Sequence, residues 1–311
     1  MKTIFSMKKK TALLAATAAL VLTVQAGQTA FAAPAPAASK PAVTAASSAQ
    51  VYDTFEFMLG KRELSHAMSY LSSHITQVTK YQATIMVLHM ENGLVKSLPA
   101  MTQQLSVPKY QKAINQAYKP GYSFTQVAAG VKDANLRTIL KELAAAGYRL
   151  ETAEGFYFPV VDYPALEKFK PYVSADIQAY LTIMSVETKK VPAKDGALMI
   201  GYQELVNRAL SMERFVAAYP ASHRTAKIKN MFANYKIFTF YGLNNTPLFD
   251  YSTNVMAPNA QKGYNLILGY NQNTQSKYLN LLEKFMKLAA DQNYKKTAAV
   301  EKFLKENVPN K

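Results

Sequence analysis

From Val51 onward, apolar side chains recur at three- and four-residue intervals and polar positions fill the gaps, the signature of helices with one buried face. Leu64, Ala67, Met68, Leu71, Ile75 and Val78 predict one or two amphipathic helices between Glu63 and about His89, and Glu91-Asn92-Gly93 reads as their stop. Further helices fit Leu94 to Leu105, Pro108 to Tyr118 and Asp133 to Ala146, the last closed by Gly147, where a left-handed residue is easiest. The period then changes. Tyr148 to Thr152 and Phe156 to Val161 read as two short extended runs around a turn at Ala153-Glu154-Gly155 and predict a small β-hairpin near residues 148–161 that must pack on a helical body to be stable.

Helical spacing returns over Tyr163 to Phe169, after Pro171, over Asp195 to Tyr219 and over Ser222 to Phe240. Pro220 and the N-cap serine Ser222 separate the last two. Gly242 to Gly269 is rich in turn residues and reads as an ordered loop. Thr274 to Gln292 and Tyr294 to Asn307 form a closing helix pair. The expected fold is a predominantly α-helical, compact multi-helix domain with one small hairpin. No repeat of about 34 residues aligns across the chain, so an irregular helical solenoid is the alternative.

The first fifty residues break this pattern. Met1-Lys2 and Lys8-Lys9-Lys10 precede an apolar run from Thr11 to Val24, and Ala30-Phe31-Ala32 has the small-x-small form of a cleavage site, so residues 1–32 read as a secretory signal peptide. The apolar run is too short for a permanent span, and no later segment approaches about eighteen uninterrupted apolar residues. Residues 33–50, rich in Ala, Pro and Ser, read as a flexible tether. The helical interaction domain is expected over 51–311, either as one body or divided near 147–163. The expected address is secreted or extracellular, in association with a cell wall, with no stable transmembrane segment in the mature chain.

The chain contains no cysteine, which removes disulfides, thiolate catalysis and Cys-based metal sites. The net charge of +16 is unevenly spread. Residues 33–150 carry 12 basic and 6 acidic side chains, 151–220 carry 7 and 9, and 221–311 carry 13 and 5. The basic last third points to anionic polymers or a membrane surface. Nucleic acid is disfavoured, because no zinc-finger pattern, RNA-binding motif or dense basic block is present. Arg224, Lys227 and Lys229 are near neighbours in helical spacing and, with Tyr235, form the candidate ligand-binding set.

Catalytic signals are sparse. No nucleophile elbow, phosphate loop or dinucleotide fingerprint occurs, and Ser211 and Ser222 beside His223 lack the orienting groups a serine mechanism needs. His66, His74, His89 and His223 form no HExxH, and Met86, His89 and Met90 fit helical packing, so neither a metal nor another cofactor is expected. Glu154 and Asp162 flank the hairpin and are the candidate acid/base pair of a hydrolase. The tyrosines, notably Tyr148, Tyr157, Tyr163, Tyr172 and Tyr235, offer ring area and a hydroxyl for sugars or a protein partner.

These readings favour a non-enzymatic, secreted helical protein that binds a cell-envelope protein or an anionic cell-wall polymer. The alternative is a cell-wall polysaccharide or peptidoglycan hydrolase using paired carboxylates. A purely structural envelope protein is a third reading.

Overall fold

The computed structural model of the chain describes residues 45–272 and 275–308, so the expected leader and the tether as far as residue 44 lie outside the described residues. Helix α1 (Ala45–Gly60) begins six residues inside the expected tether. Ser48, Val51 and Phe55 are buried, and this spacing extends the amphipathic pattern back into a segment whose Ala and Ser content alone suggested a linker.

Helix α2 (Leu64–His74) and helix α3 (Lys80–Leu105) follow. A capping box starts α3, the Thr79 hydroxyl accepting from the Gln82 N–H while the Gln82 side chain accepts from the Thr79 N–H at 3.0 Å. The expected stop at Glu91-Asn92-Gly93 is not one, and α3 runs through both Gly93 and Pro99. A Cβ on Gly93 would stand 2.9 Å from the Leu59 Cδ1 and 3.3 Å from the Leu64 Cδ2, so this glycine is a notch that admits α1 and α2. Pro99 and Val95 are exposed, which leaves the carbonyl that Pro99 cannot bond on the wet side of the helix.

Short helices α4 (Pro108–Ala117) and α5 (Phe124–Gly130) lead to α6 (Ala134–Ala146). The Asp133 carboxylate caps α6 by accepting from the Leu136 N–H at 3.0 Å, and Gly147 ends it at φ 104°. The hairpin then forms as β1 (Tyr148–Ala153) and β2 (Phe156–Val161), antiparallel, with Tyr148 opposite Val161 and Ala153 opposite Phe156. Glu154 and Gly155 both take positive φ, at 49° and 77°, as a two-residue turn matching strand twist requires. Gln111 of α4 holds the hairpin to the helices, its amide oxygen accepting from the Tyr157 N–H at 2.9 Å and its nitrogen donating to the Tyr157 carbonyl at 2.8 Å.

Helices α7 (Tyr163–Leu166), α8 (Ala175–Lys189), α9 (Tyr202–Ala218) and α10 (Thr225–Tyr241) continue the chain, with a minimal hairpin, β3 (Ala193–Lys194) and β4 (Ala197–Leu198), between α8 and α9. A second one, β5 (Gly242–Leu243) and β6 (Thr246–Pro247), follows α10. Helix α11 (Pro258–Tyr270) lies within the stretch expected to be a loop. Its buried residues, Ala260, Gly263, Tyr264 and Ile267, do have helical spacing. The turn residues before it and at its start, Asn244 to Pro247 and Asn254 to Asn259, masked that spacing; Gly263 sits where a Cβ would come within 2.9 Å of the Tyr202 Cβ. Helices α12 (Lys277–Asp291) and α13 (Ala298–Asn307) complete the fold. Phe285 of α12 centres an aromatic core, its ring 5.3 Å from Phe240, 5.9 Å from Phe303 and 6.3 Å from Phe249.

The chain is thus predominantly α-helical with small two-stranded antiparallel sheets, and its described residues belong to one compact unit. A solenoid couples each repeat only to its neighbours. Here side chains from α3 bond to side chains at the start of α10, a closure that near-neighbour stacking does not make.

Gly242 should be the least replaceable glycine. At φ 77° and ψ −152° it occupies a region open essentially to glycine alone, and a Cβ would stand 2.4 Å from both the Leu248 nitrogen and the Thr246 carbonyl oxygen. We expect Gly242→Ala to lower the unfolding free energy in urea by about 2–5 kcal/mol. Gly60→Ala, where a Cβ meets nothing within 4 Å, should change it by less than about 1 kcal/mol.

Candidate functional site

Glu91 lies on the buried face of α3 and is only 3% exposed. An ionised carboxylate there must be compensated, and four side chains from later in the chain do so. Tyr163, the first residue of α7, donates its hydroxyl to Oε1 at 2.5 Å, and Tyr180 of α8 donates to the same oxygen. Lys227 of α10 reaches Oε1 at 3.1 Å. Arg224, the residue before α10, approaches Oε2 through Nε at 2.8 Å and Nη2 at 2.7 Å. Its Nη2 also donates to the Asn92 side chain at 2.8 Å and the Leu88 carbonyl at 3.3 Å. Lys227 donates in turn to both phenol oxygens, at 2.9 Å to Tyr163 and 2.7 Å to Tyr180.

The electrostatics of this hub are one-sided. Burial opposes ionisation of Glu91, but Lys227, Arg224 and the two phenol hydrogen bonds outweigh it and hold the carboxyl below its ordinary value of 4.5. Burial, reinforced by the Glu91 charge, pushes Tyr163 and Tyr180 far above the usual phenol range. A carboxylate fixed in its ionised form beside two phenols fixed in their protonated forms leaves this trio without a member tuned for proton transfer near neutrality. The hub acts as a cross-link among α3, α7, α8 and the start of α10.

A second buried cluster lies on α8, α9 and α10. Arg208, 7% exposed, donates to Glu187 at 3.3 Å, to the Lys190 carbonyl at 2.8 Å and to Glu204. Tyr235 donates to both Glu187 oxygens, at 2.7 and 2.6 Å. Burial raises Glu187 above its ordinary value even though Tyr235 and Arg208 pull it down, and the charge of Glu204 adds to the rise.

The candidate ligand-binding residues therefore do not share one outer face. Arg224 and Lys227 turn inward to Glu91, Tyr235 is 2% exposed and bound to Glu187, and Lys229 is exposed. Spacing along α10 placed the cations correctly relative to one another but carried no information on a carboxylate 133 residues earlier. The signal for the hub was Glu91 itself, the single acid in the run Ala83 to Leu98, where an acid on an apolar face demands a partner.

Glu154 and Asp162 are likewise separated. Glu154 forms the exposed hairpin turn, whereas Asp162 sits at the other end, its N–H on the Gly147 carbonyl at 2.9 Å and its carboxylate accepting from the Ala165 N–H at 3.3 Å. Six residues of strand place them roughly 20 Å apart, against about 5–9.5 Å for paired glycosidase carboxylates. Four of the five singled-out tyrosines, Tyr148, Tyr157, Tyr163 and Tyr235, have their hydroxyls hydrogen-bonded inside the protein. Tyr148 donates to the Leu94 carbonyl and Tyr157 to Asn115, both at 2.8 Å.

The histidines disperse too. His89 meets Glu56 at 2.8 Å, His66 approaches Glu63 at 3.7 Å, His74 stacks on Tyr70 with ring centres 4.0 Å apart, and His223 is exposed. Among the described residues no group of three or more His, Asp or Glu is placed to hold a metal ion, and no helix is long and apolar enough to cross a membrane. A cleft of about 680 Å³ opens between α1, α3 and α6, with Leu59, Met101 and Leu143 among its apolar lining and the Glu56–His89 pair, Lys96 and Glu142 among its polar groups. Asn92 lines this cleft and also bonds Arg224, joining it to the hub.

Removing the hub's charge tests its role. Glu91→Gln should cost about 3 kcal/mol in urea unfolding at pH 7, because Arg224 and Lys227 lose their counter-charge. The native carboxyl lies below its ordinary value, so its contribution is fully present above about pH 4.5 and lost as pH falls through the native value. The gap between the wild-type and Glu91→Gln urea midpoints should be constant from about pH 6 to 8 and narrow below about pH 4.5. A pH-independent gap would show that packing, not charge, sets the cost.

No protein-family model, no curated protein and no solved structure matches this chain.

Proposed function

We propose that this chain is a secreted, non-enzymatic interaction protein of the cell envelope that binds an anionic wall polymer through the exposed side of α4, α5 and α6. The observation that carries this reading is the charge of the segment from residue 92 to 147, which holds seven basic and two acidic side chains. Lys109, Lys112, Lys119, Lys132, Arg137 and Lys141 are all exposed. Among the described residues only Lys109 of these six has a carboxylate within ion-pair reach, Asp133 at 3.4 Å. Uncompensated cations on α4 and α6 and in the loops flanking α5, Lys119 and Lys132, attract a polyanion by long-range charge, over a Debye length of about 8 Å at physiological ionic strength. Lys109 and Lys119 also lie over the rings of Tyr110 and Tyr122, at 4.9 and 6.0 Å, so aromatic surface accompanies the charge.

The basic surface expected around Arg224 and Lys227 is replaced in this proposal, because both side chains are held on Glu91. Lys112→Glu/Arg137→Glu/Lys141→Glu should weaken retention on immobilised poly(glycerol phosphate) at least tenfold and flatten its dependence on salt, while Lys229→Glu has little effect. Retention unchanged in the triple variant, or lost equally with Lys229→Glu, would sink the assignment of this face. Cleavage of purified wall glycan by the wild-type protein would sink its non-enzymatic character.

A further inference from the structure

A groove of about 700 Å³ runs between α9, α10 and α12, on elements that take no part in the α4–α6 surface. Its floor is apolar, formed by Leu210, Val216, Phe232, Leu281 and the ring of Tyr278. Phe232 and Tyr278 meet edge to face with centroids 5.6 Å apart, so the floor is preformed rather than assembled by a ligand. Three cations, Arg214, Lys236 and Lys277, line the same groove. Its one acid, Glu213, is already used at the start of α12, where it accepts from the Ser276 hydroxyl and from the Tyr278 N–H at 2.9 Å. The Lys236 ammonium rests 5.4 Å from the centre of the Phe232 ring, placing positive charge directly beside the apolar floor.

We infer that this groove docks an acidic amphipathic helical segment of a partner protein. Large apolar side chains of the segment pack on Phe232, Val216 and Leu281, and its flanking carboxylates pair with Arg214, Lys236 and Lys277. An apolar floor beside unbalanced positive charge complements a helix with apolar anchors at i, i+4 and i+7 and acids on both sides. A phosphate polymer satisfies the cations but brings nothing to the floor. The cleft between α1, α3 and α6 offers no comparable argument, since its acids and bases are mixed.

Selection of a random 16-residue peptide library on the immobilised full chain tests this directly. The expected result is enrichment of sequences with acidic residues around helically spaced large apolar ones, abolished when Arg214→Glu/Lys277→Glu is the target. A synthetic peptide of the enriched consensus should bind the wild-type protein at least tenfold more tightly than its Glu→Gln counterpart, and at least tenfold more tightly than it binds the double variant. That variant should keep its full retention on poly(glycerol phosphate), which separates this proposal from the polymer-binding one. Absence of enrichment, enrichment of non-acidic sequences, or peptide binding indifferent to the double substitution would overturn the inference. Loss of polymer retention in the double variant would reassign the groove to the polyanion, and concentration-dependent dimers abolished by the same substitutions would reassign it to a second copy of the chain.

Discussion

A single carboxylate closed on all sides by partners from other elements organises this molecule. Glu91 sits in the middle of its longest helix, and every group that makes its charge tolerable comes from at least 72 residues later in the chain. A buried charge costs several kcal/mol to desolvate, so this helix can keep its polar residue inside only if α7, α8 and the start of α10 arrive in register. The first and last parts of the unit are therefore coupled by electrostatic necessity as well as by apolar packing.

The second buried carboxylate shows what happens when compensation is thinner. Glu91 has two cations and two phenols. Glu187 shares one guanidinium with Glu204 and receives one phenol. The first is held below the ordinary carboxylate value and the second is raised above it. Their linkage to pH accordingly has opposite sign, the Glu91 contribution being lost on acidification and ionisation of Glu187 costing stability as pH rises through its native value. Arg208 adds a further strain, since its Nε is buried without a partner among the described residues.

Local structure was legible in part: Asp195-Gly196, expected inside a helix, instead turns the β3–β4 hairpin with both residues at positive φ, and α9 starts only at Tyr202. The β1–β2 hairpin followed from two short extended runs either side of Ala153-Glu154-Gly155, and the end of α6 from Gly147. Helices beside turn-forming residues were harder: Gly93 mimics a stop but is a close-approach point for Leu59, and the Asn- and Pro-rich turns before α11 hid a helix in which Gly263 approaches Tyr202. Side-chain direction was legible only in part. Arg224 and Lys227 resembled surface cations because helical spacing reports their separation and not their partner. Tyr235 resembled a contact residue because a phenol reads the same in sequence whether its hydroxyl faces water or a buried glutamate. The usable signal was an acid set within an apolar run, as Glu91 is, but beside Asn92 and Gly93 it read as a helix stop.

The order in which the hub's members leave the ribosome has a consequence for how the chain acquires its structure. Residues 45–147 emerge with α3 complete in sequence but with none of the four groups that neutralise Glu91. Until residue 227 follows, a native-like burial of that carboxylate carries an uncompensated charge, and the early helices gain less by closing than their apolar faces alone would supply. Final consolidation is thereby deferred to a late, long-range event that raises contact order and slows folding. A nascent chain built this way completes its core only after most of its length is present.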